Sequence, residues 1–465
     1  MGNPRLDAGV ILRSVDWGRP PEAVFAALHE RRGSFFLDSA QAAGGLGAYS
    51  FIGFEPFQSL QAKGREIALS GPAGIQRSLG DPLEALRQAC SRVAPPPPGP
   101  LPFASGAVGY LSYELGRPAP RGGPAAGDEL AIPDMEFGFY DRVLAFEVAS
   151  GRAFVAVHAE NGESDAAEAE RLEADVRAAL DRPRSVAPAV FSPAVQANLT
   201  RQEYLAAVNR IKEYLRAGDV YQVNLTQRFE APYTGDPYSL YQRLRQYSPA
   251  PFAAYLNFGD FQVLSSSPER FLRRQGDRVE TRPIKGTRPR GSHPDEDARI
   301  ARELIASEKD RAELLMIVDL ERNDLGRVCR PGSIRVEQLY HLESHPTVHH
   351  LIGNVSGTLR PECDTVDCLR AMFPGGSITG APKVRAMQII DELETRRRDL
   401  YTGAVGYLGF DGNCDLNLAI RTIVCRRGRA YYGAGGGIVA DSDPAAEYEE
   451  SLQKGRAMRA ALTGA

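Results

Sequence analysis

Short apolar runs bounded by glycine-bearing turns mark the first third of the chain, at 34–37, 49–54, 107–111 and 143–148, and predict β-strands there. The prolines at 95–98 and the stretch 117–127 break this region into pieces. From 160 to 193 an alanine-, glutamate- and arginine-rich helical pattern runs into a proline-containing segment. A boundary near 181–193 is therefore expected, or else a helix that packs across both halves. The division this suggests is an N-terminal domain at 1–185 and a second, catalytic domain at 197–460.

Beyond that boundary the periods are clearer. Thr200 and Glu203 form a capping-box pair, and Leu205, Val208, Ile211 and Leu215 recur every three or four residues. That spacing predicts a helix over 201–216, stopping at Gly218. Residues 221–229 alternate, so Gln222, Asn224 and Thr226 share the face opposite Tyr221, Val223 and Leu225, either as a solvated face or as part of a site. Segments 402–410 and 416–424 alternate in the same way, joined by the turn residues Asp411, Gly412 and Asn413. Val384, Met387, Ile390 and Leu393 predict a further helix, and Asp443 followed by Pro444 opens another.

With 465 residues the chain can bury at least one large core without disulfide staples. Its 55 Lys and Arg against 59 Asp and Glu exclude a broad surface for coating nucleic acid. The six cysteines, Cys90, Cys329, Cys363, Cys368, Cys414 and Cys425, lack the spacing of a zinc site and read as reduced thiols. No apolar run suits a signal peptide or a membrane span, so a cytoplasmic protein is expected, with no membrane and no nucleic-acid partner.

Candidate chemistry lies mostly in the C-terminal half. Asp310 and Glu313 are three residues apart on one predicted helix, and Glu447 and Glu450 are three apart on another. Each pair alone is more often a solvated face; together they offer the hard oxygen ligands that magnesium takes. FPGGSITGAPK at 373–383 leads into a helix and presents Ser377, Thr379 and free N–H groups that suit an anion, or forms only a tight turn. It lacks the spacing of a nucleotide-binding loop, so ATP is not expected. The glycines of 433–437 let backbone approach a ligand closely, or again make a turn. Lys285 lies between Ile284 and a Gly-Thr turn; desolvation there favours a neutral, nucleophilic amine, although most loop lysines are solvated.

In order and spacing, PIKGT at 283–287, DLERNDL at 319–325, FPGGSITGAPK, GAVGY at 403–407 and the 435–437 glycines followed by Glu447 and Glu450 resemble the chorismate-utilising enzyme family. The likeness covers about 197–460 and is weaker toward the N-terminus. It implies an α/β (α+β) fold with a two-layer core of large, mostly antiparallel β-sheets and outer helices, acting on chorismate. Lys285 stands where the anthranilate-forming branch usually has alanine and where the branch making 4-amino-4-deoxychorismate has lysine. The likeness is to the second branch, with an anthranilate-forming or bifunctional enzyme as the alternative.

Residue roles follow from the same resemblance. Lys285 would attack C2 of chorismate, Glu269 in SPERF at 267–271 would act as acid/base on the departing C4 hydroxyl, and His350 would stand near the ring. His349 lies on the opposite face of the same strand, and which of the two faces substrate is open. Asn224, Ser377, Tyr401, Arg421, Gly435, Gly436 and Lys383 would bind substrate, with Tyr401 and Arg421 at the enolpyruvyl carboxylate. Lys383 adds positive charge or only caps its loop. Glu313 and Glu450 would hold Mg2+ directly and Asp310 and Glu447 through water; Asp310 is shorter than the glutamate of some relatives. No glutamine-hydrolysing motif is evident, so a separate glutamine amidotransferase subunit is expected to supply ammonia. FLDS at 36–39 and YSFIG at 49–53 resemble the family's tryptophan-binding region, which makes Asp38 and Ser39 candidate tryptophan contacts.

Overall fold

The computed structural model describes residues 9–41, 45–117, 127–159, 163–182, 190–345 and 348–464. Strands among these residues build two 12-stranded sheets, and every registered strand pair is antiparallel. The first sheet runs from Gly9–Val15 through Tyr49–Gly53, Phe35–Asp38, Phe252–Asn257, Phe261–Ser267, Thr422–Arg426 and Arg429–Ile438 to Gln222–Pro232. The second runs from Ile284–Pro289 through Val348–Thr358, Arg270–Gln275, Cys414–Leu418, Ala404–Gly409 and Gly106–Leu111 to an edge at Gly74–Leu79.

Alternation along each strand divides its side chains between two cores. Phe35 joins the inner core between the sheets and Phe36 an outer one; Val108 and Tyr110 point inward where Ala107 and Leu111 point outward. The outer face of the first sheet is covered by helices Pro21–Ala26, Glu163–Asp181, Pro237–Tyr247 and Arg456–Thr463. Helices Pro82–Ser91, Glu308–Gly326 and Thr365–Met372 cover the second. This is the two-layer sheet core with outer helices that the motifs imply.

The stretches 1–185 and 197–460 interleave in both sheets. Phe35–Asp38 pairs with Phe252–Asn257, and Gly106–Leu111 pairs with Ala404–Gly409, so the two share one inner core. Helix Glu163–Asp181 packs on the N-terminal strands Gly9–Val15 and Ala153–Ala159. Part of the expected boundary, 183–189, lies outside the described residues.

Local chemistry explains several elements. Helix Arg201–Arg216 closes its capping box, with Thr200 N donating to Glu203 Oε2 at 2.7 Å and Glu203 N donating to Thr200 Oγ1 at 3.3 Å. Helix Lys383–Leu393 forms, but Val384 is exposed and Ala386, Met387, Ile389 and Ile390 make its buried face. Residues 416–424 are two strands and not one: Cys414–Leu418 belongs to the second sheet and Thr422–Arg426 to the first. The chain crosses between sheets at 419–421, where Arg421 has φ +50°. A non-glycine residue held there costs about 1–3 kcal/mol, which the surrounding structure must offset.

Candidate active site

Two connections between the sheets run side by side. Residues 267–269 link Phe261–Ser267 to Arg270–Gln275, and 419–421 link Cys414–Leu418 to Thr422–Arg426. Leu418 N donates to Glu269 O at 3.0 Å, Ser266 N donates to Arg421 O at 3.0 Å, and Ser267 Oγ donates to Leu418 O at 2.6 Å. The two crossovers thus bring Glu269 and Arg421 within electrostatic reach of each other. Among the described residues Arg421 forms no salt bridge, and its guanidinium donates only a long bond to Ser248 Oγ at 3.4 Å, leaving a planar fork suited to a carboxylate.

Glu269 is buried, and Ser377 Oγ donates to its Oε1 at 2.6 Å. Burial pushes its pKa up to about 7 against the opposing pull of Ser377 and the Lys285 charge. Lys285 sits second in the strand Ile284–Pro289, beside a bulge at Gly286, whose φ is +74°. Its Nζ donates to Ser377 O at 3.3 Å. Desolvation of the ammonium lowers its pKa, with Glu313 as the largest opposing charge. Ser377 therefore touches both groups, one through its hydroxyl and one through its carbonyl.

The two histidines of 349–350 separate by face, as strand geometry requires. His350 is buried beside the site: its Nδ1 lies 2.9 Å from Thr287 Oγ1 and its ring packs edge-on to His345. Burial, then the charge of Arg421, drives its pKa well below the ordinary imidazole value, so the ring is neutral. His349 points the other way, with Nδ1 2.8 Å from Ser344 Oγ and Nε2 2.9 Å from Asp297 Oδ1, and ties the strand to helix Pro294–Ala306.

Glycines 433–437 form the second half of Arg429–Ile438, paired with Gln222–Pro232. A Cβ at Gly435 would lie 2.1 Å from Leu225 O, and one at Gly433 would lie 2.2 Å from the Tyr401 ring, which is how that ring is seated. Above Gly436 stand Glu447 and Glu450 of helix Pro444–Lys454: a Cβ there would be 3.3 Å from Glu447 Oε2 and 3.4 Å from Glu450 Oε1. Lys454 pairs with Glu450 at 2.7 Å. On helix Glu308–Gly326, Glu313 lies 4.0 Å from Lys309, and Asp310 accepts from Arg288 at 2.8 Å. Among the described residues no three His, Cys, Asp or Glu side chains converge closely enough to hold a metal ion, and lysines stand beside both acid pairs, with Lys309 acting on Glu447 and Glu450 as well as on Glu313. The donor set nonetheless suits a hard cation: Glu447 Oε2 is buried with no hydrogen-bond partner and faces the bare backbone of Gly436.

The remaining candidates divide. Asn224 is buried with its Nδ2 unpartnered, a donor held ready in the sheet. Lys383 is ion-paired with Asp324 and donates to Met372 O at 2.9 Å, the arrangement of a loop cap. Asp38 accepts from Tyr241 at 2.8 Å and from Arg245 at 2.6 Å. Asp38 and Ser39 line a cleft with Tyr49, Arg270, Tyr407 and Asn417.

Three further residues support the site without being among the candidates, although Arg270 falls within SPERF at 267–271 and Glu321 within DLERNDL at 319–325. Arg270 forks onto Asp415 at 2.9 Å through two nitrogens and reaches Glu280 at 2.7 Å, fixing the strand that follows Glu269. Arg398 donates to Asn224 O and Ile378 O, each at 2.9 Å, and to Glu394, so one buried guanidinium holds both sides of the site. The third is Glu321, under the 376–378 turn. Glu394 and Arg398 follow the end of helix Lys383–Leu393, so no helical period marks the second.

With this geometry in place, the chain matches the chorismate binding enzyme family over residues 33–460 and belongs to it. It is a chorismate-utilising enzyme of the group that holds the anthranilate and aminodeoxychorismate synthase first components. Aminodeoxychorismate synthase component 1 of Klebsiella aerogenes is 42% identical over 447 residues, covering 95% of this chain and 96% of the relative. Anthranilate synthase component 1 of Streptomyces coelicolor is 41% identical, covering 92% and 83%. The crystal structure of anthranilate synthase component I from Streptococcus pneumoniae superposes with a TM-score of 0.78 at 30% identity, covering 90% of this chain and 93% of that one. No helix among the described residues is long and apolar enough to cross a membrane.

Proposed function

We propose that this chain is the first component of an aminodeoxychorismate synthase, converting chorismate and ammonia to 4-amino-4-deoxychorismate and water for para-aminobenzoate and folate synthesis. The observation that carries the reading is Lys285, a half-buried, desolvated amine 3.3 Å from Ser377 O and close to an acid with a pKa of about 7. Relatives with either synthase name match almost equally, so the lysine and not overall identity favours this product.

In this reading the neutral Lys285 amine forms a bond to C2 while both ring double bonds shift by one position and the C4–O bond breaks. Glu269, protonated near neutrality, gives its proton to the departing hydroxyl, which leaves as water. Ammonia then bonds to C4, the C2–nitrogen bond breaks to return Lys285 as a neutral amine, and the surplus proton goes back to Glu269. With the amine tethered at C2, free ammonia is directed to C4. Arg421 and Tyr401 orient the enolpyruvyl carboxylate, Asn224 and the glycine backbone hold the ring, and neutral His350 lies beside it.

Mg2+ belongs to the same reading: Glu313 and Glu450 would hold it directly, with Asp310 and Glu447 through water, and when bound it supplies positive charge to the ring carboxylate. A glutamine amidotransferase subunit would deliver the ammonia. Tryptophan is the ligand proposed for the cleft at Asp38 and Ser39, and titration calorimetry without heat would remove it.

The deciding experiment incubates the purified chain with chorismate, Mg2+ and ammonium. The expected product is 4-amino-4-deoxychorismate, identified by mass and by conversion to para-aminobenzoate when an aminodeoxychorismate lyase is added. Fluorescent anthranilate as the main product would overturn the assignment in favour of the other synthase.

A further inference from the structure

Helix Glu308–Gly326 carries more than the two acids of the metal proposal. Asp310, Glu313, Ile317, Glu321 and Asp324 follow at steps of three and four and so share one face. Toward its far end Glu321 is 2% exposed, and neighbouring Asp324 is ion-paired with Lys383. Glu321 Oε1 accepts the Gly376 N–H at 3.0 Å, whereas Oε2 is buried without a partner. A carboxyl with an unmatched buried oxygen is costly to keep, and this one lies against the turn that carries Ser377.

We propose that Glu321 is a positioning residue: by holding the Gly376 amide it sets the Gly376–Ile378 turn, and through that turn the Ser377 hydroxyl on Glu269 and the Ser377 carbonyl on Lys285. The fit is close. A Cβ at Gly376 would lie 2.9 Å from Glu321 Oε1 and 2.7 Å from Leu320 Cδ2, so no side chain can stand between acid and turn. Arg398 restrains the far end of the turn through Ile378 O at 2.9 Å, which leaves Glu321 to restrain the near end. The charged groups facing Glu321 are Lys383, Asp324 and Glu269 itself.

Two variants separate the acceptor from the charge. Glu321→Leu keeps volume and removes the acceptor; Glu321→Gln keeps the acceptor and removes the charge. The kinetic arm rests on the amination reading: Glu321→Leu lowers kcat roughly 10–100-fold while KM for chorismate moves less than about threefold, and Glu321→Gln recovers most of the loss. A second arm needs no turnover. The rate at which trinitrobenzenesulfonate labels Lys285, followed by peptide mass spectrometry, rises at least about threefold in Glu321→Leu as the amine loses its Ser377 partner, and returns in Glu321→Gln. Unchanged labelling in a Glu321→Leu variant that melts cooperatively overturns the proposal, as does a Glu321→Gln variant labelled as fast as Glu321→Leu. A wild type that makes no aminated product overturns the reaction assignment and leaves the labelling comparison standing.

Discussion

Ser377 Oγ donates a hydrogen bond to Glu269 Oε1 at 2.6 Å, across 108 positions of sequence. The bond ties a sheet crossover to the glycine-rich turn, and it favours the charged carboxylate against a burial that favours the neutral acid. Removing it should therefore raise the pKa of Glu269. Since Glu269 donates its proton only while protonated, Ser377→Ala should move the alkaline limb of the kcat/KM profile to higher pH, by about half to one unit, with a lower maximum. A pH–rate profile of the variant measures this; an unmoved limb would assign that titration to another group.

Burial also makes Glu269 a determinant of stability. Its folded pKa of about 7 lies above the ordinary carboxylate value, so its contribution is fully present below the unfolded pKa and is lost as pH rises through about 7. Glu269→Gln keeps an acceptor for Ser377 and removes the buried charge. The variant should be more stable than wild type by about 1–3 kcal/mol near pH 8 and nearly equal near pH 4, while losing activity at least about 100-fold. Denaturant unfolding at both pH values gives the comparison, and an equal difference at the two would contradict it.

Adjacent glycines should respond oppositely to alanine. At Gly435 the new Cβ would lie 2.1 Å from Leu225 O inside a strand pair, so Gly435→Ala should destabilise the fold by roughly 3 kcal/mol or more. At Gly436 the nearest atoms it meets are the side-chain ends of Glu447, Glu450 and Lys454 at 3.3 to 3.5 Å. Gly436→Ala should melt near the wild-type temperature yet bind Mg2+ about 10-fold more weakly by calorimetry, through the displaced carboxylates. Wild-type metal affinity in that variant would remove the acids above Gly436 from the proposed site.

What could be read from sequence was what local rules determine. The Thr200–Glu203 box and the alternation around Asn224 gave their helix and strand, because a cap and a period act over a few residues. The break at Arg421 was hidden because the apolar positions 416, 418, 420 and 424 keep one alternation across the change of sheet. His349 and His350 could be placed on opposite faces, but which face meets the site depends on Thr287 and Asp297, distant in sequence. Lys383 read equally as a charge for substrate or a cap, and its pairing with Asp324 needs the packed turn to be seen. Glu321 was legible in principle, since it continues the three-and-four stripe begun at Asp310 and Glu313.

The central claim is that Lys285 is the nucleophile that sends ammonia to C4. Burial lowers the pKa of its amine although Glu313, Glu269 and Glu450 pull the other way, and Arg421, the glycine strand and the helix acids would keep chorismate and Mg2+ in place if the side chain were shortened. The direct measurement is product identification for wild type and Lys285→Ala with chorismate, Mg2+ and ammonium, with chorismate binding confirmed separately. Wild type should give 4-amino-4-deoxychorismate, and Lys285→Ala should lose it steeply, with any residual amination entering at the opened C2 to give anthranilate. An alanine variant that retains full 4-amination, or a wild type that makes mainly anthranilate, would contradict the account.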